Sequence, residues 1–265
     1  MSDLILPGEV PLDLLWPAIC ASILVIATHI PLGVQVLSRG IIFIDLTIAQ
    51  VAGLGAYLVL ILAGENTPAV WVQLGAVSLA LGAAWGLVAL ERLSTQLQEP
   101  LIGVVFVLAA TATILLAHGD PHGGQHLTDL LSGQILWVSA TQLKFAGIGT
   151  FVILVAMYVL RANRFAFYSL FAVAITISVQ LVGIYLVFTT LIIPALVVSG
   201  FTRTKKWVTA YTLAITSYVI GVLSSAWLDL PTGPLIVWSL AVTGTIVRLV
   251  MSRQLVLSRR QMAVR

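Results

Sequence analysis

FAFYSLFAVAITISVQLVGIYLVFTTLIIPALVVS, Phe165 to Ser199, runs for 35 residues without an Asp, Glu, Lys, Arg or His. As one straight α-helix it would extend ~52 Å at ~1.5 Å per residue, against a hydrocarbon core ~30 Å thick. The stretch must fold back, break or tilt heavily. Its flanks decide which: Arg161 and Arg164 precede it, and Arg203, Lys205 and Lys206 follow it. Lys and Arg collect in the connections on the cytoplasmic side of a bilayer. Both ends therefore belong on one side, and the stretch is predicted to cross twice, breaking near Tyr185–Thr190 with Pro194 in the returning helix. Each limb is only ~16 to 18 residues, so one is expected to be a half-helix lining a cavity.

Composition makes the bilayer the solvent. Of 265 residues, 60% are apolar and 9% are charged, with a mean hydropathy of +1.08. A soluble domain carries ~25% charged residues. That excludes a soluble enzyme or a nucleic-acid-binding domain, and the net charge of +3 bears on orientation rather than on a polyanionic partner. With Cys20 as the single cysteine, there is no intramolecular disulfide and no Cys-rich metal site.

A ruler of ~20 apolar residues per crossing marks further spans at Leu14–Leu37, Ile41–Ala63, Ala69–Leu90, Pro100–Ala117, Phe145–Leu160, Val208–Leu228 and Pro234–Met251. The leading MSDLILPGEVPLDLL has no basic residue before Arg39 and reads as no cleavable signal. The expected architecture is all-α and polytopic: eight or nine transmembrane helices in one domain, residues 1–265, with the N-terminus outside and the C-terminus cytoplasmic. No fixed-period repeat is visible, which argues against an inverted-repeat secondary transporter. Small residues, as in Ala49-x-x-x-Gly53, permit close helix packing.

A few polar residues stand where lipid disfavours them. Asp45 lies four residues into the second span and needs a partner or water, Arg39 being one option. Gln50 is ~140° further round the same helix and suits an interhelical hydrogen bond. His29, just before Pro31, can bond a freed carbonyl or serve a metal or proton pathway. His29, Asp45 and Gln50 are candidate metal-pathway residues, provided the first two spans face each other. The outer connection HGDPHGGQH holds His118, Asp120, His122 and His126. Imidazole and carboxylate suit a divalent metal such as zinc, so the loop is either a metal-capture site or simply solvated. Nothing here assembles a nucleophile, base and orienting group, so the chain itself is expected to be no enzyme.

Three segments together resemble the permease subunits of bacterial ABC importers for zinc and manganese. They are GVQVLSRGIIFIDLTIAQVAGLG (Gly33–Gly55), IGVVFVLAATATILLAHG with LTDLLSGQILWVSATQL (Ile102–Leu143), and VGIYLVFTTLIIPALV (Val182–Val197) with DLPTGPLIV (Asp229–Val237). The resemblance implies the permease fold shared with vitamin B12 importers, a homodimer in the cell inner membrane, a cytoplasmic ATPase subunit and a periplasmic metal-binding protein. It implies a transported divalent metal, zinc in the first place and manganese as the alternative, with no permanently bound cofactor and no nucleic acid. ATP would be hydrolysed on the separate subunit, and this chain has no GxxxxGK[ST] loop. Two departures stand out. Relatives carry an Asp and a His four residues apart in the second span, where this chain has Leu46 and Gln50, with Asp45 displaced by one. Relatives also place a coupling helix where this chain has only Arg161–Arg164. Coupling through other inner residues is then expected, with Glu91, Arg92, Arg161, Arg164, Arg203, Lys205 and Lys206 as candidates to face the ATPase. The alternative is a facilitator or scaffold without ATP coupling.

Overall fold

A computed structural model of the chain describes residues 12–64, 66–90, 95–118, 120, 123–133, 135–160 and 163–263. The elements are α1 (Leu12–Arg39), α2 (Ile44–Ala63), α3 (Ala69–Leu90), α4 (Thr95–Ala117), α5 (Gly123–Ser132), a single 3-10 turn η1 (Ile135–Trp137), α6 (Ala140–Val159), α7 (Arg164–Val182), α8 (Ile184–Val197), α9 (Arg203–Leu228) and α10 (Thr232–Ala263). Lipid offers the backbone no hydrogen-bond partners, so helices, which satisfy their own N–H and C=O groups, are what an apolar chain can build there.

Eight of the described helices are long and apolar enough to cross a bilayer, and Ile184–Val197 is shorter. The returning limb is short, as limbs of ~16 to 18 residues lead one to expect: α8 spans ~21 Å, against ~28 Å for α7. The chain does double back. Arg39 at the end of α1 lies over the Phe167 ring at the start of α7, while Gly183, at the far end of α7, packs on Gly133. From there α8 runs alongside α10: Gly233, early in α10, sits beside the Val182 carbonyl, and Arg248 donates to the carbonyls of Val197 and Ser199 at 3.0 Å each. The two ends of Phe165–Ser199 therefore share one side, as the flanking basic residues require.

The break falls at Gly183, earlier than the predicted Tyr185–Thr190. Gly183 adopts φ 80°, ψ 164°, a region essentially closed to residues with a side chain. One residue makes the whole turn, so Tyr185–Thr190 stays helical, with the Thr189 and Thr190 hydroxyls donating to the Tyr185 and Leu186 carbonyls at 2.7 Å.

This broken pair is the centre of the molecule. α1 and α10 pack on α8, and α2 and α3 pack on each other and on α7. α7 has 61% of its apolar window buried, and α4, α6 and α10 only 22% each, so those three lie at the periphery of the chain. Gly33 sets the closest approach of α1 to α8, because a Cβ there would land on the Leu191 carbonyl. Trp137, Trp227 and Trp238 are exposed near helix ends, as interfacial anchors are.

Candidate functional site

The second and third of the segments that carried the family resemblance meet in space. Gly133 follows α5, Gly183 joins α7 to α8, and Gly233 opens α10. A Cβ on Gly183 would stand 2.6 Å from the Ser132 carbonyl carbon and 2.8 Å from the Gly133 Cα, and one on Gly233 would overlap the Ser132 carbonyl oxygen. Gly133 also has a positive φ of 68°. Three backbones thus touch where no side chain fits. Local bonding holds each strand of this junction. Ser139 caps α6 reciprocally with Gln142: its hydroxyl accepts from the Gln142 N–H at 3.2 Å, and its N–H donates to Gln142 Oε1 at 2.8 Å. On the α9–α10 side, Asp229 takes a left-handed φ of 54°, and Ser225 bonds to Leu230 O and Thr232 Oγ1 at 2.6 Å each. The Leu-x-Gly-x-Ile-Leu, Val-Gly-x-x-Leu and Asp-Leu-Pro-Thr-Gly-Pro patterns are therefore one structural unit. Isolated glycines inside apolar runs were its only sequence signal.

His29 is fully buried on α1. Its Nδ1 lies 3.0 Å from both the Val25 carbonyl and the Thr28 hydroxyl. A carbonyl only accepts, so Nδ1 carries the proton, and a neutral ring then presents a bare lone pair at Nε2. Nε2 is buried without a hydrogen-bond partner. Such a nitrogen can bind zinc or accept a proton.

Asp45 is 1% exposed, and neither carboxylate oxygen meets a hydrogen-bond partner. It is neither solvated nor paired with Arg39, whose guanidinium stacks 4.1 Å above the Phe167 ring. Delocalised guanidinium settles well on an aromatic face, which draws Arg39 to α7. Gln50 is buried too. The helices that hold these candidates keep different company: α1 packs chiefly on α8, α6 and α9, whereas α2 packs on α3 and α4. His29 and Asp45 thus belong to separate helix groups. Among the described residues no three His, Cys, Asp or Glu side chains converge.

Opposite the basic end, His118 is exposed, and Asp120 accepts a hydrogen bond from the Tyr57 hydroxyl at 2.8 Å, which ties the loop after α4 to α2. His126 falls within α5, which begins where Gly123 packs on the Ala117 carbonyl. The His126 side chain, His122, Glu91, Arg92 and Arg161 lie outside the described residues. At the basic end Arg164, Arg203 and Lys205 are exposed and Lys206 is half-buried. On that side, residues 91–94 and 161–162 lie outside the described residues. Among the described residues, the intervals 40–43 and 198–202 are four and five residues long.

Comparison with known proteins fits this geometry. A family described as "ABC 3 transport family" matches residues 11–166 and 159–251. The high-affinity zinc uptake system membrane protein ZnuB of Haemophilus influenzae is 23% identical over 248 residues, covering 85% of this chain and 93% of its own length. Among solved structures, PsaBC from Streptococcus pneumoniae in complex with Fab superposes with a TM-score of 0.72 at 19% identity, covering 88% of this chain and 90% of that one. That likeness establishes the fold.

Proposed function

The chain belongs to the ABC 3 transport family, and from that membership we propose that it is the permease subunit of an ATP-driven importer of a divalent metal ion, with zinc the first candidate and manganese the second. The family match along nearly the whole chain carries this reading, and the zinc uptake relative points to the metal. The working unit would be a homodimer of this chain in a bacterial inner membrane, served by a periplasmic metal-binding protein and by a cytoplasmic ATPase that hydrolyses the nucleotide.

Orientation follows from charge. Arg39, Arg164, Arg203, Lys205, Lys206 and Arg248 lie at one end of the bundle, and positive-inside placement makes that end cytoplasmic, with the C-terminus. Metal would then arrive at the end bearing His118, Asp120, His122 and His126. His29, with its bare Nε2, and the buried Asp45 are the polar groups that would meet it in transit, each on its own helix group. Alternating access would require α8 to shift against α1 and α10, and the single-residue hinge at Gly183, braced by two other glycines, is where this short helix would pivot. Uptake measured in a His29→Ala, Asp45→Ala double variant tests the pathway. Transport at the wild-type rate would remove both residues from it.

One observation favours a second reading, a family-derived facilitator or scaffold without ATP coupling. A docking helix of more than about one turn needs more than ~4 residues, and the described intervals at the basic end, 40–43 and 198–202, are four and five residues long. On the first reading the ATPase instead grips helix ends, through Glu91, Arg92, Arg161, Arg164, Arg203, Lys205 and Lys206. Purification in mild detergent separates the two. Capture of a P-loop ATPase with this chain supports the importer, and a chain recovered without one under conditions that keep it dimeric supports the facilitator.

A further inference from the structure

We propose that the basic end of α8, α9 and α10 binds an anionic phospholipid, its headgroup at the turn between α8 and α9 and its acyl chains along an exposed row of α9. From Phe165 to Arg265 the chain holds eight basic residues and one acidic residue. That acid, Asp229, caps α9 at its other end. Four of the cations gather at the short turn from α8 into α9. Arg248 of α10 reaches into the turn, donating to the Val197 and Ser199 carbonyls at 3.0 Å each, and Arg203, Lys205 and Lys206 lie in the first turn of α9. The turn is held by backbone bonds, from the Ser199 N–H to the Leu196 carbonyl at 3.2 Å and from the Phe201 N–H to the Val198 carbonyl at 3.1 Å. Residues 198–202 contain no acid.

Carbonyls orient the Arg248 guanidinium without cancelling its charge. α9 and α10 pack chiefly on each other, on α8 and on α1. The one acidic residue within those four helices is Asp13, in the first turn of α1 and far along the helix from Arg39. Countercharge must therefore come from outside this helix group, and cations clustered beside a spanning helix attract anionic headgroups. The surface next to them has the shape of the rest of a lipid. Lys205, Val208, Thr212, Ile215, Val219 and Leu223 recur every three or four residues and so form one row down α9. All six are exposed, Val208 by 62%, and the cation stands at the basic end of the row. A lysine there can lay its stem on the apolar row and hold its ammonium at the interface. Trp207 and Tyr211, with ring centroids 6.5 Å apart, stand at the same level, as interfacial aromatic side chains do. A soluble anion would use the cations and leave the row bare. An ATPase would meet this end along the bundle axis, from beyond the bilayer, and would reach the cations but not the row.

Lipid binding rests on the fold and not on the importer reading. The test is native mass spectrometry of the purified full chain in detergent, titrated with phosphatidylglycerol or with phosphatidylcholine of the same acyl chains. Phosphatidylglycerol should bind ~10-fold tighter or more. Each cation near an anionic headgroup is worth ~5-fold, so a triple Arg203→Gln, Lys205→Gln, Lys206→Gln variant should bind it ~100-fold more weakly. A Lys205→Arg, Lys206→Arg variant should keep it, as should Lys144→Gln, which removes an exposed cation near the opposite end. An excess of glycerol phosphate, the headgroup without its chains, should not displace it. Thermal unfolding in nanodiscs separates a lost ligand from a lost fold. The triple variant should match the wild type in phosphatidylcholine, and phosphatidylglycerol should raise the midpoint of the wild type alone. The proposal is overturned if the wild type binds both lipids alike, or if glycerol phosphate displaces the lipid. It is overturned equally if the triple variant keeps the lipid and loses a co-purifying ATPase, which makes the cations a protein contact. Lipid found on monomers and excluded from dimers would give the row to a second copy of the chain. Failure of the importer reading shows separately, as loss of nucleotide-dependent uptake with lipid binding intact.

Discussion

Replacing Gly183 with alanine should loosen the molecule at its centre, and the size of the effect can be worked from two independent costs. The backbone at φ 80°, ψ 164° lies where a residue with a Cβ pays ~1–3 kcal/mol. The added methyl would also stand 2.6 Å from the Ser132 carbonyl carbon and 2.8 Å from the Gly133 Cα. Those are backbone atoms that cannot rotate away, and prying two packed segments apart costs ~1–3 kcal/mol. The sum is ~2–6 kcal/mol, a large part of the ~5–15 kcal/mol that holds a typical domain together. Cys20, half-buried in α1 and the single thiol in the chain, provides the assay: labelling by a thiol-reactive fluorophore during a thermal ramp reports unfolding. Gly82→Ala is the control, since a Cβ there meets nothing within 4 Å and alanine is favoured over glycine in a helix by ~1 kcal/mol. Gly183→Ala should label at a clearly lower temperature and Gly82→Ala at or above the wild-type midpoint. Equal midpoints for the two variants would refute the argument that backbone contact at the three-glycine junction organises the fold.

Arg248→Met removes both hydrogen bonds that the guanidinium gives to the Val197 and Ser199 carbonyls. A charge-assisted bond is worth ~1.5–3 kcal/mol, so a loss of at least that order is expected in the same thermal assay. Tyr57→Phe cuts the tie between α2 and Asp120, with an expected cost of ~1.5–3 kcal/mol and faster hydrogen exchange at the Asp120 amide, measured by mass spectrometry. Ser139→Ala deletes the cap of α6 and should cost ~1 kcal/mol, whereas Ser139→Asp, which keeps an accepting oxygen, should recover most of it.

What the sequence could disclose was whatever depends on solvent and length. The apolar runs specified an all-helical membrane chain, and the basic residues flanking Phe165–Ser199 specified that it doubles back, as it does. Two features were hidden because they depend on backbone conformation. Gly183 is one glycine among 21, and nothing local says that it turns the chain while the more polar Tyr185–Thr190 stays helical. That in turn sets α8 at 14 residues, a little below the ~16 to 18 expected for each limb. Helix ends were also misplaced where polar residues join a span. α6 begins at Ala140, before the expected Phe145, because Ser139 and Gln142 cap it and Lys144 rides on its exposed face. α9 likewise starts at Arg203, before the expected Val208.

The candidate site was legible residue by residue and illegible as an arrangement. Burial of His29 followed from its position in an apolar run, whereas Asp45, which the sequence left free to meet water or Arg39, is buried as well. That Arg39 would leave Asp45 for the Phe167 ring, 128 positions away in the chain, could not be read from spacing along one helix. Nor could the approach of Glu99 to the start of α2, where it accepts the Phe43 N–H, since Glu99 reads in sequence as an interfacial charge just before Pro100. Gly133, Gly183 and Gly233 are far apart in the chain, and only the fold shows that their backbones touch.

The most direct test of the importer account is metal uptake into sealed proteoliposomes holding this chain with the ATPase that co-purifies with it, supplied with the metal-loaded binding protein. The account predicts that zinc accumulates only when ATP is hydrolysed, and that Gly183→Ala slows accumulation. Equal accumulation with and without ATP would contradict it and make the chain a facilitator.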